Sequence, residues 1–213
     1  MKHRTSLSII FLATTCLLTP ALAERRVDVY YVPVSHPHEH NGLYFSFSPG
    51  LGEGNFQQAN YQGTDKLEYS GGTTNIDIKL GGVVARNLIL SGDFIGTSML
   101  WPDVRVGPID YGRENSELRQ GLLGLGLTYY FMPSNVFVSG TLGAGGFTYV
   151  NPNSDYKSDR GVGFQMKIGR EWWVSPRWGV GVSMFYLNQH VNEPNNQDLD
   201  AGFFGLLLNT AFN

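Results

Sequence analysis

Histidine is the residue whose spacing in this chain comes nearest to a chemical site. His36, His38 and His40 lie in the tract "SHPHEH". Alternate residues of an extended segment point the same way, so these three side chains form a weak candidate metal site for zinc or copper. A structural zinc site normally has a fourth ligand, which the tract does not fix in place, and Pro37 interrupts it. Solvated histidines in a connecting segment are the alternative, and no cofactor is expected.

The sequence supports a catalytic site even less than it supports a metal site. An enzyme needs a nucleophile beside a base, or paired carboxylates. Apart from His3 and the tract, the only histidine is His190, within "LNQHVNEPNNQD", and no His-x-Ser pair accompanies it. The glycine-rich "GTLGAGG" lacks the lysine and the strand-to-helix context of a phosphate loop. No spacing of acidic residues matches a calcium loop. The sequence therefore predicts a protein that is not an enzyme.

Composition narrows the class of protein. The chain has 213 residues, a formal net charge of −3 and 27 glycines. Charged residues make up only 15% of it, against about 25% in ordinary soluble domains. Without a basic surface, binding to nucleic acid is not expected. A chain that is poor in charge and rich in glycine and aromatic residues is atypical of helical proteins.

The first 23 residues have the pattern of a secretory signal peptide. Lys2 and Arg4 precede an apolar stretch that is too short to span a bilayer, and Ala21-Leu22-Ala23 supplies a small–x–small cleavage pattern. We therefore predict a signal peptide at residues 1–23, a periplasmic extension at 24–41 and a barrel at 42–213. The only cysteine, Cys16, lies in the signal peptide, so no disulfide is expected in the mature chain.

From residue 42 onward, apolar and polar residues alternate with the period of a β-strand. Short connections of three or four residues carry the proline and asparagine that turns favour, and longer ones separate the resulting pairs. This alternation of short and long connections is typical of an up-and-down barrel in an outer membrane. The predicted strands are 43–49, 73–84, 88–97, 119–131, 136–149, 161–174, 178–187 and 200–212, and the long connections are 50–72, 98–118, 150–160 and 188–199.

Nearly every predicted strand has one continuous apolar face and a second face that is small or polar. In "LLGLGLTYYF", Leu123, Leu125 and Leu127 alternate with Gly124, Gly126 and Thr128. Aromatic residues that flank the apolar face suit an interfacial girdle, because their rings are apolar while one edge can hydrogen-bond. The predicted girdle comprises Tyr129, Phe131, Trp178 and Tyr186. The predicted polar cluster of the lumen comprises Asp77, Lys79, Asp93, Lys167 and Glu171.

Two architectures explain these faces. In a soluble barrel of the lipocalin kind the apolar face points inward, whereas in a membrane barrel it meets lipid. A solvated face normally carries many charges, but the second face here is mostly Gly, Ser, Thr, Ala and Asn, with few and nearly balanced charges. The sequence therefore favours an all-β fold, an eight-stranded antiparallel up-and-down transmembrane β-barrel.

These features resemble a known family. The signal peptide, the glycine–aromatic strands, the "MPSN" and "SPRW" turns and the apolar last strand are similar to those of small bacterial outer-membrane β-barrels of the opacity, OmpA and OmpX type. The resemblance covers about residues 42–213. It implies a porin-like barrel in the outer membrane of a Gram-negative cell envelope, with both termini in the periplasm and long loops outside.

An eight-stranded barrel has an interior that side chains fill, so no open pore is expected. We predict a structural or surface-interaction role through the long loops, with outer-membrane lipid and lipopolysaccharide as neighbours and the protein as a monomer. Loops 98–118 and 188–199 are the predicted contact surfaces, the former because it carries Trp101 and Tyr111. The alternatives are a narrow channel for ions or small apolar molecules and a soluble periplasmic lipocalin-like binder.

Overall fold

The computed structural model describes residues 40–61, 65–152, 154–194 and 197–212. The predicted signal peptide lies outside the described residues, as does the predicted extension apart from residues 40 and 41. None of the described residues belongs to a helix that is long and apolar enough to cross a membrane. The described part of the chain consists almost entirely of β-strands.

Eleven strands are present in the described residues. Eight are long and three, β4, β5 and β8, are short. Their bounds are β1 Leu43–Tyr61, β2 Asp65–Ala85, β3 Leu88–Leu100, β4 Asp103–Val106, β5 Ile109–Arg113, β6 Glu117–Phe131, β7 Val136–Asn151, β8 Ser154–Lys157, β9 Gly161–Trp173, β10 Trp178–Val191 and β11 Leu199–Phe212.

The eight long strands close into a barrel. Each pairs antiparallel with its neighbours in the order β1-β2-β3-β6-β7-β9-β10-β11, and β11 pairs with β1 to complete the ring. Because every long strand has a partner on both sides, the barrel wall has no open edge. The prediction of an eight-stranded antiparallel up-and-down barrel is confirmed.

Three tight connections lie at one end of the barrel, which we call the turn end: residues 86–87, 132–135 and 174–177. Asn87 and Asn135 have positive φ values of 60° and 52°. Asparagine tolerates this left-handed conformation better than most residues, which explains its place in these turns. We call the opposite end, where the longer connections lie, the loop end.

The predicted lengths of the loop-end connections are wrong. The ladder between β1 and β2 continues to the pair Tyr61–Asp65, so most of the predicted loop 50–72 is strand. Loop 98–118 contains β4 and β5, loop 150–160 contains β8, and β10 continues to Val191 within the predicted loop 188–199. In each case the backbone ladder continues past the end of the apolar outer face. The polar composition of these continuations is typical of loops, which is why the predicted strands are too short.

Side chains alternate between the two faces of the barrel wall. On β6, Leu123, Leu125 and Leu127 point outward and are 68%, 69% and 52% exposed, while Gly126 and Thr128 point inward. The same outward apolar belt continues on the other long strands, for example at Leu142, Met166, Met184 and Leu206. A belt of this size does not suit a soluble barrel, whose apolar face points inward.

Candidate functional site

The middle of the barrel interior holds two buried ion pairs, which we call the charged layer. Lys79 on β2 pairs with Asp93 on β3, and both bond to the Thr141 hydroxyl of β7. Lys167 on β9 lies 2.8 Å from Asp77 on β2. Since β2 and β9 are four strands apart in either direction around the ring, this second pair crosses the full width of the bore.

Glycine makes room for the charged layer. A Cβ atom placed on Gly126 would lie 2.0 Å from the Oδ2 atom of Asp93. That oxygen already accepts bonds from Lys79 and Thr141, so it is held in place. The Lys79–Asp93 ion pair therefore requires a glycine at this inward-facing position of β6.

A second polar group fills the interior between the charged layer and the turn end. The Tyr130 hydroxyl donates to Glu171 at 3.1 Å and lies 3.2 Å from the Tyr44 hydroxyl. The ring of His40 stacks on the ring of Tyr130 with centroids 3.7 Å apart, and its Nε2 atom is 2.9 Å from Oδ1 of Asn135. Aromatic rings and hydrogen-bonded side chains from four parts of the chain thus pack across the turn end.

Together these groups leave little free space in this half of the bore. The side chains of both ion pairs are at most 2% exposed, and Tyr44, Tyr130, Glu171 and His40 are all buried. Buried charges are tolerated only when they are paired and hydrogen-bonded. We call this region the polar half of the interior.

The loop end has the opposite character. Its interior is lined by one cluster of buried apolar side chains, and we call this region the apolar half. The rings of Phe56 on β1 and Phe147 on β7 meet edge to face with centroids 5.0 Å apart. These two strands are also four apart around the ring, so this contact crosses the bore as Lys167–Asp77 does. The cluster comprises Phe56, Leu67, Tyr69, Ile95, Met99, Val104, Leu118, Leu122, Phe147, Phe185, Leu187, Val191, Leu199, Ala201, Phe203 and Leu207.

The outer face of the barrel wall changes from apolar to polar close to the level at which the polar half of the interior meets the apolar half. On β10, outward Val182, Met184 and Tyr186 are followed by outward Asn188 and His190, while the inward residues become apolar at Phe185 and Leu187. The change marks the edge of the outward belt. Beyond it the wall has a polar outer face and a mainly apolar inner face, in which the buried Gln120 amide donates to the Gln189 side chain.

One side of the loop end extends further than the rest. The ends of β1 and β2 pair with each other, and β4 and β5 continue the sheet from β2, which gives a four-stranded extension that we call the rim sheet. Phe56, Tyr69 and Val104 are buried on its inner face, whereas Glu68 and Arg105 lie on its outer face. The rim sheet therefore presents an apolar wall toward the axis of the barrel.

A cavity of about 760 Å³ opens between the rim sheet and the ends of β6, β7 and β11. We call it the cup. Its lining combines residues of the apolar half with tyrosines and a few polar side chains nearer its mouth. The lining residues are Phe56, Gln58, Tyr61, Leu67, Tyr69, Val104, Val106, Tyr111, Gly112, Arg113, Glu114, Leu118, Phe147, Tyr149, Asn151, Tyr156, Gln197 and Leu199.

The structure places the predicted lumen cluster in the polar half, and all five of its members, Asp77, Lys79, Asp93, Lys167 and Glu171, are buried. Of the girdle residues, Tyr129, Phe131 and Trp178 lie outward near the turn end, and Tyr186 lies where the outward belt ends toward the loops. Contact of these rings with lipid headgroups stays a prediction.

The predicted histidine site is only partly described. His36 and His38 lie outside the described residues, and the buried, stacked position of His40 ties it to Tyr130 and Asn135. Metal binding by the three histidines stays a prediction. Among the described residues, no group of three or more His, Cys, Asp or Glu side chains is arranged to hold a metal ion.

The sequence predictions missed the cup. Much of its wall comes from segments predicted to be loops, at Phe56, Leu67, Tyr69 and Val104. A usable pattern was present: in "EGNFQQ" and "KLEYSGG" the period of two continues, but the apolar residues move to the other face. An inverted alternation after an outward belt indicates a strand that leaves the membrane and keeps its pairing.

Comparisons with known proteins support the fold. No protein-family model and no curated protein sequence matches the chain. Among solved structures, Neisserial surface protein A is 13% identical with a TM-score of 0.52, over 80% of this chain and 98% of that one. The outer membrane protein OprG from Pseudomonas aeruginosa is 12% identical over 83% and 99%, with a TM-score of 0.47. The Escherichia coli outer membrane protease OmpT is 9% identical over 83% and 97%, with a TM-score of 0.43.

The similarity to Neisserial surface protein A concerns the fold alone, and the lack of enzymatic activity stays a prediction. The closed ring of eight paired strands, the outward apolar belt and the match to solved outer-membrane barrels agree with one another. The chain therefore has the fold of the small outer-membrane β-barrels, with an outward apolar belt of the kind that such a barrel presents to lipid.

Proposed function

We propose that this protein acts at the cell surface as a binding barrel and does not conduct ions. The observation that carries the proposal is the division of the interior. Ion pairs and packed rings close the polar half, whereas the apolar half opens into a cup at the loop end. Because the described part of the interior opens into a cavity at the loop end, binding there is the activity that this geometry supports best. In this proposal the signal peptide directs export, the turn end faces the periplasm and the loop end faces outward.

The loop between β3 and β6 supports a contact role. Trp101, Ile109 and Tyr111 are 59%, 55% and 64% exposed there. Trp101 also has a positive φ of 51°, which is uncommon for a bulky side chain, and its backbone N–H donates to the Ser116 carbonyl at 3.0 Å. Exposed aromatic side chains are frequent anchors of interfaces. Loop 98–118 therefore keeps its place as a proposed contact surface beside the cup.

Recording in planar lipid bilayers tests the proposal. We expect no conductance steps from the folded protein, because a hydrated ion cannot pass the charged layer. Replacing Lys79, Asp93, Lys167 and Asp77 together by serine shortens all four side chains and removes their charges. Conductance that appears only in this variant would assign the barrier to the charged layer, whereas a silent variant would assign it also to the rings that pack across the bore. Regular conductance steps from the unaltered protein would contradict the proposal and favour the narrow channel.

A further inference from the structure

The chemistry of the cup indicates which kind of ligand it takes. Its floor is formed by the Phe56–Phe147 contact and by aliphatic side chains, including Leu118 and Leu199, all of which are buried. Tyr69 adds a further ring, 5.8 Å from that of Phe56. Among the described residues that line the cup, Arg113 and Glu114 are the only charged ones, and both are exposed. A charged group at the depth of the floor would lose its hydration without gaining a partner.

Hydrogen-bonding groups are found nearer the mouth. The rings of Tyr69 on β2 and Tyr149 on β7 lie 5.5 Å apart and bring two hydroxyls into the lining of the cup. The Gln58 and Gln197 amides are 3.5 Å apart. Arg113 and Glu114 are both exposed and carry opposite charges, so the mouth has no excess of either sign from this pair. These groups can orient a polar end of a ligand, but they do not select for a net charge.

The size of the cup sets a second limit. Pockets for small molecules typically enclose about 300–1,000 Å³, and the cup, at about 760 Å³, lies within that range. Membrane acyl chains are unsuitable occupants, because the rim sheet separates the cup from the outward belt by a wall whose outer face carries Glu68 and Arg105. An open aromatic cavity above the belt is better suited to a compact molecule that arrives from water.

We infer that the cup binds a small uncharged molecule that has an aromatic or alicyclic body and one hydrogen-bonding group. The apolar body packs on the floor formed by the Phe56–Phe147 pair and Leu118, and the polar group bonds to the tyrosine hydroxyls or glutamine amides of the lining. This inference rests on the proposed surface-binding function and specifies its ligand.

Titration of the folded protein in lipid nanodiscs with indole tests the inference. Indole is neutral and planar and has one N–H donor. Binding is followed by NMR of the Leu118 methyl groups, which report on the cup and not on partitioning into lipid. We expect a saturable shift for indole and none for indole-3-carboxylate, a charged molecule of similar shape. A shift that rises without saturation, or equal binding of both molecules, would overturn the inference.

Two variants of adjacent residues supply a matched control. Val104→Trp fills the cup from β4, while Arg105→Trp places the same ring on the outer face of the rim sheet. We expect Val104→Trp to weaken indole binding by at least about tenfold, because overpacking removes the space. Arg105→Trp should bind as the unaltered protein does. Equal affinity in the two variants contradicts the inference. A heat-dependent change in gel mobility verifies folding, and Val106→Trp replaces Val104→Trp if the latter does not fold.

Bilayer recording on the same preparations distinguishes a failure of the proposed surface-binding function from a failure of the inferred ligand class. Regular conductance from the unaltered protein contradicts the proposed function, whatever indole does. A barrel that is closed to ions but shows no saturable indole shift leaves the surface-binding proposal in place and contradicts only the ligand class.

Discussion

The two halves of the barrel interior solve the same packing problem with opposite chemistry. In each half, one contact joins strands that face each other across the bore: Lys167–Asp77 in the polar half and Phe56–Phe147 in the apolar half. The polar half is filled, while the apolar half opens into a cavity of about 760 Å³. The interior therefore divides along the barrel axis, and the division does not coincide with the edge of the outward belt, because the inward Leu122, Phe185 and Leu207 lie behind it.

The two halves also differ in how they depend on electrostatics. Ion pairs in the polar half are buried, whereas those of the rim sheet are exposed, for example Arg105–Asp110, whose side chains are 58% and 65% exposed. Removing one member of a buried pair leaves a charge without water or partner, but an exposed charge stays hydrated. Stability should therefore be sensitive to charge in one region and insensitive in the other.

The largest effect is expected from Asp93→Ala. This change leaves the buried Lys79 without its carboxylate, and we expect the free energy of unfolding to fall by about 3–5 kcal/mol. The matched change in the rim sheet, Asp110→Ala, should alter it by less than about 1 kcal/mol. Urea titration of both variants in lipid vesicles, followed by tryptophan fluorescence, measures the difference. If the free energy of unfolding fell by a similar amount in both variants, the two regions would not differ in their sensitivity to charge.

A smaller effect is expected from Gly126→Ala. The added methyl group would meet the Asp93 carboxylate, so either the ion pair or the strand must shift, at a cost of about 1–3 kcal/mol. Gly140→Ala, on the neighbouring strand β7, is the control, because a Cβ there has no atom within 4 Å. The same urea titration compares them. A Gly126→Ala barrel as stable as the Gly140→Ala barrel would mean that the charged layer is loosely packed.

The smallest effect concerns Tyr156 on β8, at the cup. Partial burial and the nearby Glu193 carboxylate raise the pKa of Tyr156 above its ordinary value of 10.0. Because the folded pKa is raised, any contribution of this group to stability is present below pH 10 and is lost as the pH rises through the folded pKa. Glu193→Gln should move the pKa of Tyr156 back toward 10.0. Absorbance titration, with Tyr156→Phe to identify the signal, checks this, and an unchanged pKa would contradict it.

Much of the barrel could be predicted because two of its determinants are local. Strand period and turn residues are visible in the sequence, so all eight long strands were found, and the alternation along "LLGLGLTYYF" gave the outward face of β6 correctly. The inward position of Lys167 followed from the same alternation. The alternation does not identify the ion-pair partner of Lys167. The choice of Asp77 over Asp93 depends on which side chains meet across the closed barrel, and this is set by the stagger of its strands.

The cup is harder to predict for a related reason, although the inverted alternation of its segments is a usable signal. The segments that contain Phe56, Tyr69 and Val104 have polar outward residues. Polar residues together with glycine are typical of loops, so such a strand is hard to recognise while the surroundings of the barrel wall are unknown. Only the pairing of β1 with β2, and of β2 with β4, shows that these segments remain sheet. The inner apolar face then becomes apparent from the alternation itself.

The division of the interior is tested most directly by thiol accessibility. In a Cys16→Ser background, single cysteines are introduced at Val106, on the wall of the cup, and at Ser183, which is buried in the polar half and bonds to Asn209 at 3.0 Å. The folded protein in nanodiscs is treated with a water-soluble maleimide. We predict rapid labelling of Val106→Cys and protection of Ser183→Cys until the barrel is unfolded by heat. Labelling of both cysteines at similar rates in the folded protein would contradict the account.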